Sequence, residues 1–251
     1  MQKNCVVTSN QSEKRNEKMS TEQKKRVAGK HAQEVDKIEV SGAVIRRLPR
    51  YFRYLRELLR QDKMRVSSAE LSRMMGVTAS QIRQDLNCFG GFGQQGYGYN
   101  VPYLYSKICE LLGVDSDVRA IVIGAGDLGR ALVRSPMFEK RGIQVLAMFD
   151  IAPEQIGREI AGVKVRSMNE LAAYCKKHQV DMAVLTLPKE SVEEVAEQLS
   201  GYGVQAFWNF TSKEIKLGDG NAIIENVHLG DSLMVLNYRL ARRRAEEKEP
   251  N

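Results

Sequence analysis

The segment from Arg119 to Gly129 restricts the fold of this chain more than any other. The apolar run at 120–123, within a predicted strand at 119–123, indicates that the strand is buried, and Gly124-Ala125-Gly126-Asp127-Leu128-Gly129 leads from it into a predicted helix at 128–134. In such a strand–turn–helix, the first glycine permits a tight turn and the second lets a pyrophosphate approach the helix N-terminus. The third lets the helix pack on the strand. The spacing therefore predicts the nucleotide-binding turn of an α/β domain.

Predicted strands and helices alternate through the second half of the chain. Strands are expected at 118–123, 144–150, 182–187 and 204–209, with helices starting at 128, around 171–178 and at 191–199. Alternation of this kind is typical of a parallel sheet with helices on both faces. We therefore predict a Rossmann-type, doubly wound parallel-sheet domain over residues 114–227.

The side chain at the end of the second predicted strand indicates which nucleotide this domain binds. Asp150 lies 21 residues after Gly129, where a carboxylate can accept hydrogen bonds from the adenosine ribose hydroxyls. An acid at this place disfavours a ribose 2′-phosphate, so the pattern favours NAD over NADP. Coenzyme A could use the same glycine turn, and Asp150 is the argument against it.

The residues around the expected nicotinamide position offer no proton donor. The loop Leu185-Thr186-Leu187-Pro188 contains no acid or base, and neither His178 nor His228 has a visible partner in the sequence. We therefore expect a binding domain without catalytic residues. An NAD-dependent oxidoreductase with an auxiliary basic domain remains the alternative.

Charge is distributed unevenly along the chain. Residues 1–113 contain 20 Lys and Arg against 11 Asp and Glu, whereas residues 114–251 contain 18 against 20. A basic module joined to a near-neutral one is typical of a protein whose first part meets a polyanion such as nucleic acid. The same charge could instead keep a small domain in solution, so the assignment depends on pattern.

The basic part begins with an amphipathic helix. From Val44, apolar residues recur at three- and four-residue steps with arginines between them, which predicts one buried face and one basic face. Pro49 would break a helix interior, so we predict that the regular helix starts at Pro49 and that a looser turn precedes it.

Two capping signals indicate a helix-turn-helix. Ser67-Ser68-Ala69-Glu70 and Thr78-Ala79-Ser80-Gln81 each place a hydroxyl three residues before Glu or Gln, and Gly76 ends the first helix. Downstream, residues 89–99 interleave five glycines with four aromatics, which we interpret as the hairpin of a wing. A connecting helix starts at Pro102. We predict a winged-helix DNA-binding domain at 41–113; an ordinary three-helix bundle is the alternative.

In a helix-turn-helix the second helix enters the major groove while the first basic helix contacts phosphates. On this basis the candidate DNA-binding residues are Arg46, Arg47, Ser68, Thr78, Ser80, Gln81, Arg83, Gln84, Gly98 and Tyr99.

The remaining segments predict a cytoplasmic chain. Residues 1–40 are polar and aperiodic, so we predict a disordered basic tail without a secretory signal. No apolar run approaches the ~20 residues of a membrane span. The four cysteines, Cys5, Cys88, Cys109 and Cys175, lack zinc-site spacing and disulfide density, so we predict reduced thiols and no metal site.

From about Val44 to Arg244 the chain resembles Rex, the redox-sensing transcriptional repressors of bacteria. The resemblance rests on Arg47-Leu48-Pro49, on Thr78 to Leu86, on the glycine–aromatic wing, on Gly124 to Gly129, on Asn209-Phe210 and on Glu225-Asn226-Val227. It implies a homodimer that binds an inverted-repeat operator and NAD(H). It implies that NADH releases this homodimer from DNA. It also implies that a helix at 232–244, within a C-terminal segment at 228–251, is exchanged between protomers.

The turn and the resemblance together give the candidate cofactor-binding residues: Gly124, Ala125, Gly126, Asp127, Leu128, Gly129, Asp150, Thr186, Pro188, Asn209 and Phe210. Three positions depart from residues common in the family. Gln84 and Gln95 replace a lysine and an arginine near the DNA, and His228 replaces an aspartate. We therefore expect the operator sequence, the affinity or the NADH response to differ.

Overall fold

The computed structural model describes residues 41–88, 93–94, 97–218 and 220–247. The chain divides into two compact units between Leu112 and Gly113. The predicted tail at 1–40, Gln95 and most of the wing tip lie outside the described residues.

The first unit contains four helices and a small sheet among its described residues. These are α1 (Gly42–Arg60), β1 (Arg65–Val66), α2 (Ser68–Met75), α3 (Ala79–Asn87), β2 (Gly93–Gln94), β3 (Gly98–Asn100) and α4 (Val101–Leu111). The strands form an antiparallel sheet in the order β1-β3-β2. This is the predicted winged-helix arrangement, with α3 as the second helix of the helix-turn-helix.

Helix α1 begins earlier than predicted. It starts at Gly42 and continues through Pro49, so the expected start at Pro49 is wrong. Proline removes one backbone hydrogen bond from a helix interior. Val44 and Leu48 before it and Tyr51 and Phe52 after it are all buried, and their packing stabilises the helix on both sides of Pro49.

Both predicted N-caps form, but the reciprocal half of each capping box does not. The hydroxyls of Ser67 and Thr78 accept the N–H of Glu70 and of Gln81, each at 3.1 Å. The Glu70 carboxylate pairs with Lys63 instead of reaching back to the cap. The Gln81 amide donates to Asp85 at 2.8 Å. Each long side chain therefore has a tertiary or intrahelical partner that a local pattern does not reveal.

The second unit is built on a seven-stranded sheet. Its elements are β4 (Val118–Ile123), α5 (Asp127–Arg134), β5 (Ile143–Asp150), β6 (Glu159–Ile160), β7 (Val163–Ser167), α6 (Leu171–His178), β8 (Met182–Leu185), α7 (Val192–Gly201), β9 (Ala206–Asn209), β10 (Ile223–Asn226) and α8 (Leu229–Glu246). The strand order is β10-β9-β8-β4-β5-β7-β6. All pairs are parallel except β6 with β7, which confirms the doubly wound parallel sheet.

The sheet carries a core on each face. Along β4, Ile121 and Ile123 pack into one cluster, while Val122 between them packs into the other. Alternate side chains of a strand point to opposite faces, so a continuous apolar strand such as β4 must be buried on both. The hairpin formed by β6 and β7 was not predicted from the sequence, because its short strands lack a sustained apolar run.

The C-terminal helix is longer than the predicted 232–244. Among its residues, large apolar side chains lie exposed: Leu229, Leu233, Met234, Val235, Leu236, Tyr238 and Leu240. No helix in the described part of the chain is both long enough and apolar enough to cross a membrane.

Candidate functional site

The turn between β4 and α5 has the geometry that the glycine spacing predicts. Gly124 adopts a φ of 97°, a left-handed conformation that favours glycine. A Cβ on Gly129 would collide with the carbonyl oxygen of Gly124, so α5 packs directly against the turn. A Cβ on Gly126 would meet nothing within 4 Å. The first and third glycines are thus required by the protein itself, while the second leaves open space at the N-terminus of α5.

Asp150 ends β5 beside this turn and holds it in place. One carboxylate oxygen accepts the backbone N–H of Ala125 at 2.6 Å, and the other accepts the N–H of Ala152 at 2.8 Å. Each carboxylate oxygen has a second lone pair, so it can still accept a hydrogen bond from a ribose hydroxyl. Asp150 therefore fixes the turn and the loop after β5 while it remains able to bind a ligand.

Thr186 directly follows the neighbouring strand β8 and contacts the turn. Its hydroxyl lies 3.0 Å from the carbonyl oxygens of both Ile123 and Gly124, and its backbone N–H donates to Ile123 at 2.8 Å. The side chain that we predicted near the nicotinamide is therefore bonded to the backbone of the glycine turn. It links the loop after β8 to the first glycine.

These residues border a cleft of about 520 Å³. Its lining consists of Ile123, Gly124, Gly126, Phe149, Asp150, Ile151, Met168, Thr186, Leu187, Pro188, Ser191 and Val195. The lining is mainly apolar, and Asp150 is its only ionisable side chain. The cleft therefore has the dimensions and composition of a ligand site, and its lining lacks an acid–base pair.

Asn209, predicted to bind the cofactor, is engaged elsewhere. Its side chain is fully buried, and its amide donates to the carbonyl oxygen of Lys213 at 2.7 Å and to Asn226 at 2.8 Å. Its oxygen accepts the N–H of Thr211 at 3.0 Å. These bonds join β9 to β10 and to the following loop. Phe210 next to it packs edge-on against Trp208, with ring centroids 4.5 Å apart.

The sequence reasoning missed Arg130 in the first half of α5. Its guanidinium lies 2.5 Å from the exposed Asp127 carboxylate and 3.2 Å from the Gln155 side chain. The contact with Gln155 ties α5 to the loop after β5, and the pairing with Asp127 offsets a negative charge at the helix N-terminus, where an anion would be bound. An arginine three residues after Asp127 on a helix was the available signal.

In the first unit, three of the four predicted base-reading residues lie on the exposed side of α3, whereas Gln81 is half-buried and donates to Asp85 at 2.8 Å. Ser80, Arg83 and Gln84 are exposed, and Arg83 donates to Ser68 of α2 at 3.3 Å. Thr78 caps the helix, and Arg46 is exposed on α1. This face therefore presents polar and basic side chains of the kind that contact phosphates and base edges.

Of the predicted DNA-binding residues in the wing, Tyr99 is buried and Gly98 lies close to the backbone of β1. The Tyr99 side chain is only 7% exposed, in the small sheet, where burial raises the pKa of its hydroxyl. A Cβ on its neighbour Gly98, which has a φ of 70°, would meet the backbone of Val66. Both residues therefore contribute to the packing of the small sheet.

Arg47 is also engaged within the protein. Its Nε and Nη2 donate to the two carboxylate oxygens of Asp85, each at 2.7 Å. Asp85 itself was overlooked in the sequence. The signal was its position, because residues 82, 85 and 86 share one face of a helix and 82 and 86 are apolar. A carboxylate on the inner face of α3 requires a buried donor.

The fold and these two sites define a DNA-binding regulator with a dinucleotide-binding domain. Residues 39–87 match the family described as "Putative DNA-binding protein N-terminus", and residues 115–213 match the "CoA binding domain" family. The chain is 48% identical over 213 residues to the redox-sensing transcriptional repressor Rex of Caldicellulosiruptor saccharolyticus. The matched residues cover 85% of this chain and 97% of that protein. The chain belongs to the Rex family.

Other relatives agree with this assignment. The Rex of Thermoanaerobacter pseudethanolicus is 50% identical over 204 residues, covering 81% of this chain and 91% of the relative. The crystal structure of RSP in complex with beta-NAD+ and operator DNA matches with a TM-score of 0.77 and 48% identity, covering 83% of this chain and 96% of that chain. RSP in complex with beta-NADH matches with the same TM-score, 45% identity and coverage of 84% and 99%.

Proposed function

We propose that this chain is a transcriptional repressor that binds an inverted-repeat operator and is released from it by NADH. The observation that carries the proposal is that one chain contains both an exposed basic recognition face on α1 and α3 and a glycine turn that Asp150 holds in place. The Rex relatives are redox-sensing repressors, and the matching RSP structures contain NAD+ with operator DNA in one case and NADH in the other.

NAD(H) is the ligand that the second unit fits best. The open space at Gly126 and the free N-terminus of α5 suit a pyrophosphate, and Asp150 suits the adenosine ribose. Coenzyme A, which the name of the second matching family suggests, gains nothing comparable from a carboxylate at the ribose, because its ribose carries a 3′-phosphate. We therefore assign Gly124 to Gly129, Asp150, Thr186 and Pro188 to NAD(H).

A redox response requires the oxidised and reduced cofactor to bind two arrangements of the protein with different affinity. The nicotinamide ring is planar and cationic when oxidised and neutral when reduced. Pro188 and Leu187 line the cleft after β8, and Thr186 bonds the same loop to the glycine turn. This loop is therefore where we expect the chain to distinguish the two forms.

The alternative of an oxidoreductase finds no support in these residues or in the relatives. The lining of the cleft lacks an acid–base pair for hydride transfer to a carbonyl substrate. The curated relatives are transcriptional repressors. The chain is not assigned an enzymatic activity.

We also propose that the repressor is a homodimer joined by α8. Leu229, Leu233, Leu236 and Leu240 follow a spacing that places them on one face, and all are exposed. A helix with such a face is stabilised by burying it against a partner, and a palindromic operator requires two copies of α3. Because its partners would be operator DNA and the pyridine nucleotide pool, we propose a cytoplasmic location.

The dimer is tested by sedimentation of the full chain. Leu233→Glu together with Leu236→Glu should convert the dimer into a monomer, since two charges would have to be buried at the interface. Arg242→Gln changes an exposed polar residue of the same helix and serves as the control. A dimer that persists in the double variant would contradict the role of α8.

The function is tested by fluorescence anisotropy on a Rex-type inverted repeat at fixed salt. We expect specific binding without ligand and with NAD⁺, and loss of binding with saturating NADH. Equal affinity with both cofactor forms would contradict redox sensing, and equal affinity for a scrambled duplex would contradict operator recognition.

A further inference from the structure

The carboxylate of Asp85 lies at the centre of a buried polar cluster in the first unit. One oxygen accepts Arg47 Nε at 2.7 Å and the Tyr51 hydroxyl at 2.9 Å. The other accepts Arg47 Nη2 at 2.7 Å and Gln81 Nε2 at 2.8 Å. The Asp85 side chain is 0% exposed. Each oxygen thus has two donors, and the buried charge is fully satisfied.

This cluster fixes the orientation of α3 on α1. Two parallel hydrogen bonds from a guanidinium to a carboxylate define a plane as well as a distance, and the Tyr51 hydroxyl, one turn along α1, adds a second anchor. Apolar packing alone tolerates small rotations of a helix, whereas a bidentate pair does not. The exposed Arg83 and Gln84 directly precede Asp85 on α3, so their placement depends on the cluster.

We propose that Asp85 and Arg47 are positioning residues for operator recognition, and that Arg47 acts through Asp85 without binding a phosphate. The inference rests on the proposed operator binding of α3. The Arg47 side chain is 22% exposed and its fork faces Asp85, whereas its neighbour Arg46 is exposed and forms no ion pair among the described residues. Arg46 is therefore assigned the phosphate contact on α1.

Three variants separate positioning from phosphate binding. Arg46→Gln removes the proposed phosphate contact. Arg47→Gln combined with Asp85→Asn removes the buried pair but leaves the net charge unchanged. Tyr51→Phe removes one donor to Asp85 at a side chain that is 0% exposed and so cannot touch DNA. The affinity of each for an operator duplex and for a scrambled duplex is measured over a series of salt concentrations, well below the unfolding temperature of that variant.

Positioning predicts a loss of specificity without a change in salt dependence. Tyr51→Phe should lower the operator-to-scrambled affinity ratio about fivefold, the equivalent of one hydrogen bond, and the double variant should lower it further. Both should keep the wild-type slope of log K against log salt. Arg46→Gln should weaken both duplexes alike and reduce the slope by about one.

Two results would overturn the inference. A slope reduced by about one in the double variant would show that Arg47 neutralises a phosphate. A wild-type affinity ratio in folded Tyr51→Phe and in the folded double variant would show that the cluster only stabilises the domain. If the wild type itself does not prefer the operator, the proposed function fails, while the salt slopes on the scrambled duplex still report whether Arg47 binds phosphate.

Discussion

The Asp150 carboxylate accepts the backbone N–H of Ala125 at 2.6 Å, across 25 residues of sequence. This bond connects the end of β5 to the second residue of the glycine turn. The side chain that we propose to bind the ribose therefore also holds the segment that we propose to receive the pyrophosphate. The proposed recognition of both parts of a dinucleotide depends on the same carboxylate.

Replacement of this carboxylate should weaken cofactor binding. Asp150→Asn leaves one oxygen in place of two, so either Ala125 or Ala152 loses its acceptor. A hydrogen bond to a charged group contributes about 1.5–3 kcal/mol, so NADH affinity should fall by about tenfold or more. The measurement is NADH titration by calorimetry, with Glu197→Gln, which changes an exposed acid outside the lining of the cleft, as the control. Unchanged affinity in Asp150→Asn would contradict the assigned role.

The second and third glycines of the turn should behave differently. Gly126→Ala adds a methyl into open space, so thermal stability should stay close to wild type while NADH affinity falls because the pyrophosphate needs that space. Gly129→Ala places a methyl against the carbonyl oxygen of Gly124, so unfolding should occur at a lower temperature. Calorimetric unfolding and NADH titration of both variants test this. Full NADH affinity in Gly126→Ala would argue against a ligand at this turn.

The hydroxyl of Thr186 should contribute more to stability and to NADH affinity than its methyl group does. Thr186→Val retains the shape but leaves the carbonyl oxygens of Ile123 and Gly124 without their side-chain donor, which should cost about 1 kcal/mol of unfolding free energy. NADH affinity should fall with it, because the first glycine loses a support. Thr186→Ser keeps the hydroxyl and should stay near wild type. Urea unfolding and NADH titration of Thr186→Val and Thr186→Ser test this prediction. Equal stability and equal NADH affinity in the two variants would contradict it.

The sequence predicted those parts of the molecule that depend on local pattern. The apolar run of β4, the caps at Ser67 and Thr78 and the glycine spacing each follow from neighbouring residues, so their structures could be foreseen. The partners of Arg47 and Asn209 could not, because Asp85 is 38 residues from Arg47 and Asn226 is 17 residues from Asn209. A polar residue in a motif has the same local pattern whether its partner is DNA, a cofactor or a distant side chain. The pattern alone therefore does not reveal which of these partners it contacts.

Low pH should reduce the stability of the first unit because it protonates Asp85. Burial raises the pKa of this carboxyl, but hydrogen bonds from Arg47, Gln81 and Tyr51 and the charge of Arg47 outweigh it, so its pKa lies below the ordinary 3.8. A lowered pKa in the folded state stabilises the protein fully above the unfolded value, and this contribution is lost as the pH falls through the folded value.

The stability difference between wild type and Asp85→Asn should therefore be constant between pH 8 and pH 5, at about 2 kcal/mol, and should shrink below about pH 4. Urea unfolding followed by far-UV circular dichroism measures it. Fluorescence of Trp208, the single tryptophan, reports the second unit and should show the same transition in both proteins. A difference that persists undiminished at pH 3 would mean that the Asp85 charge is not what binds α3 to α1.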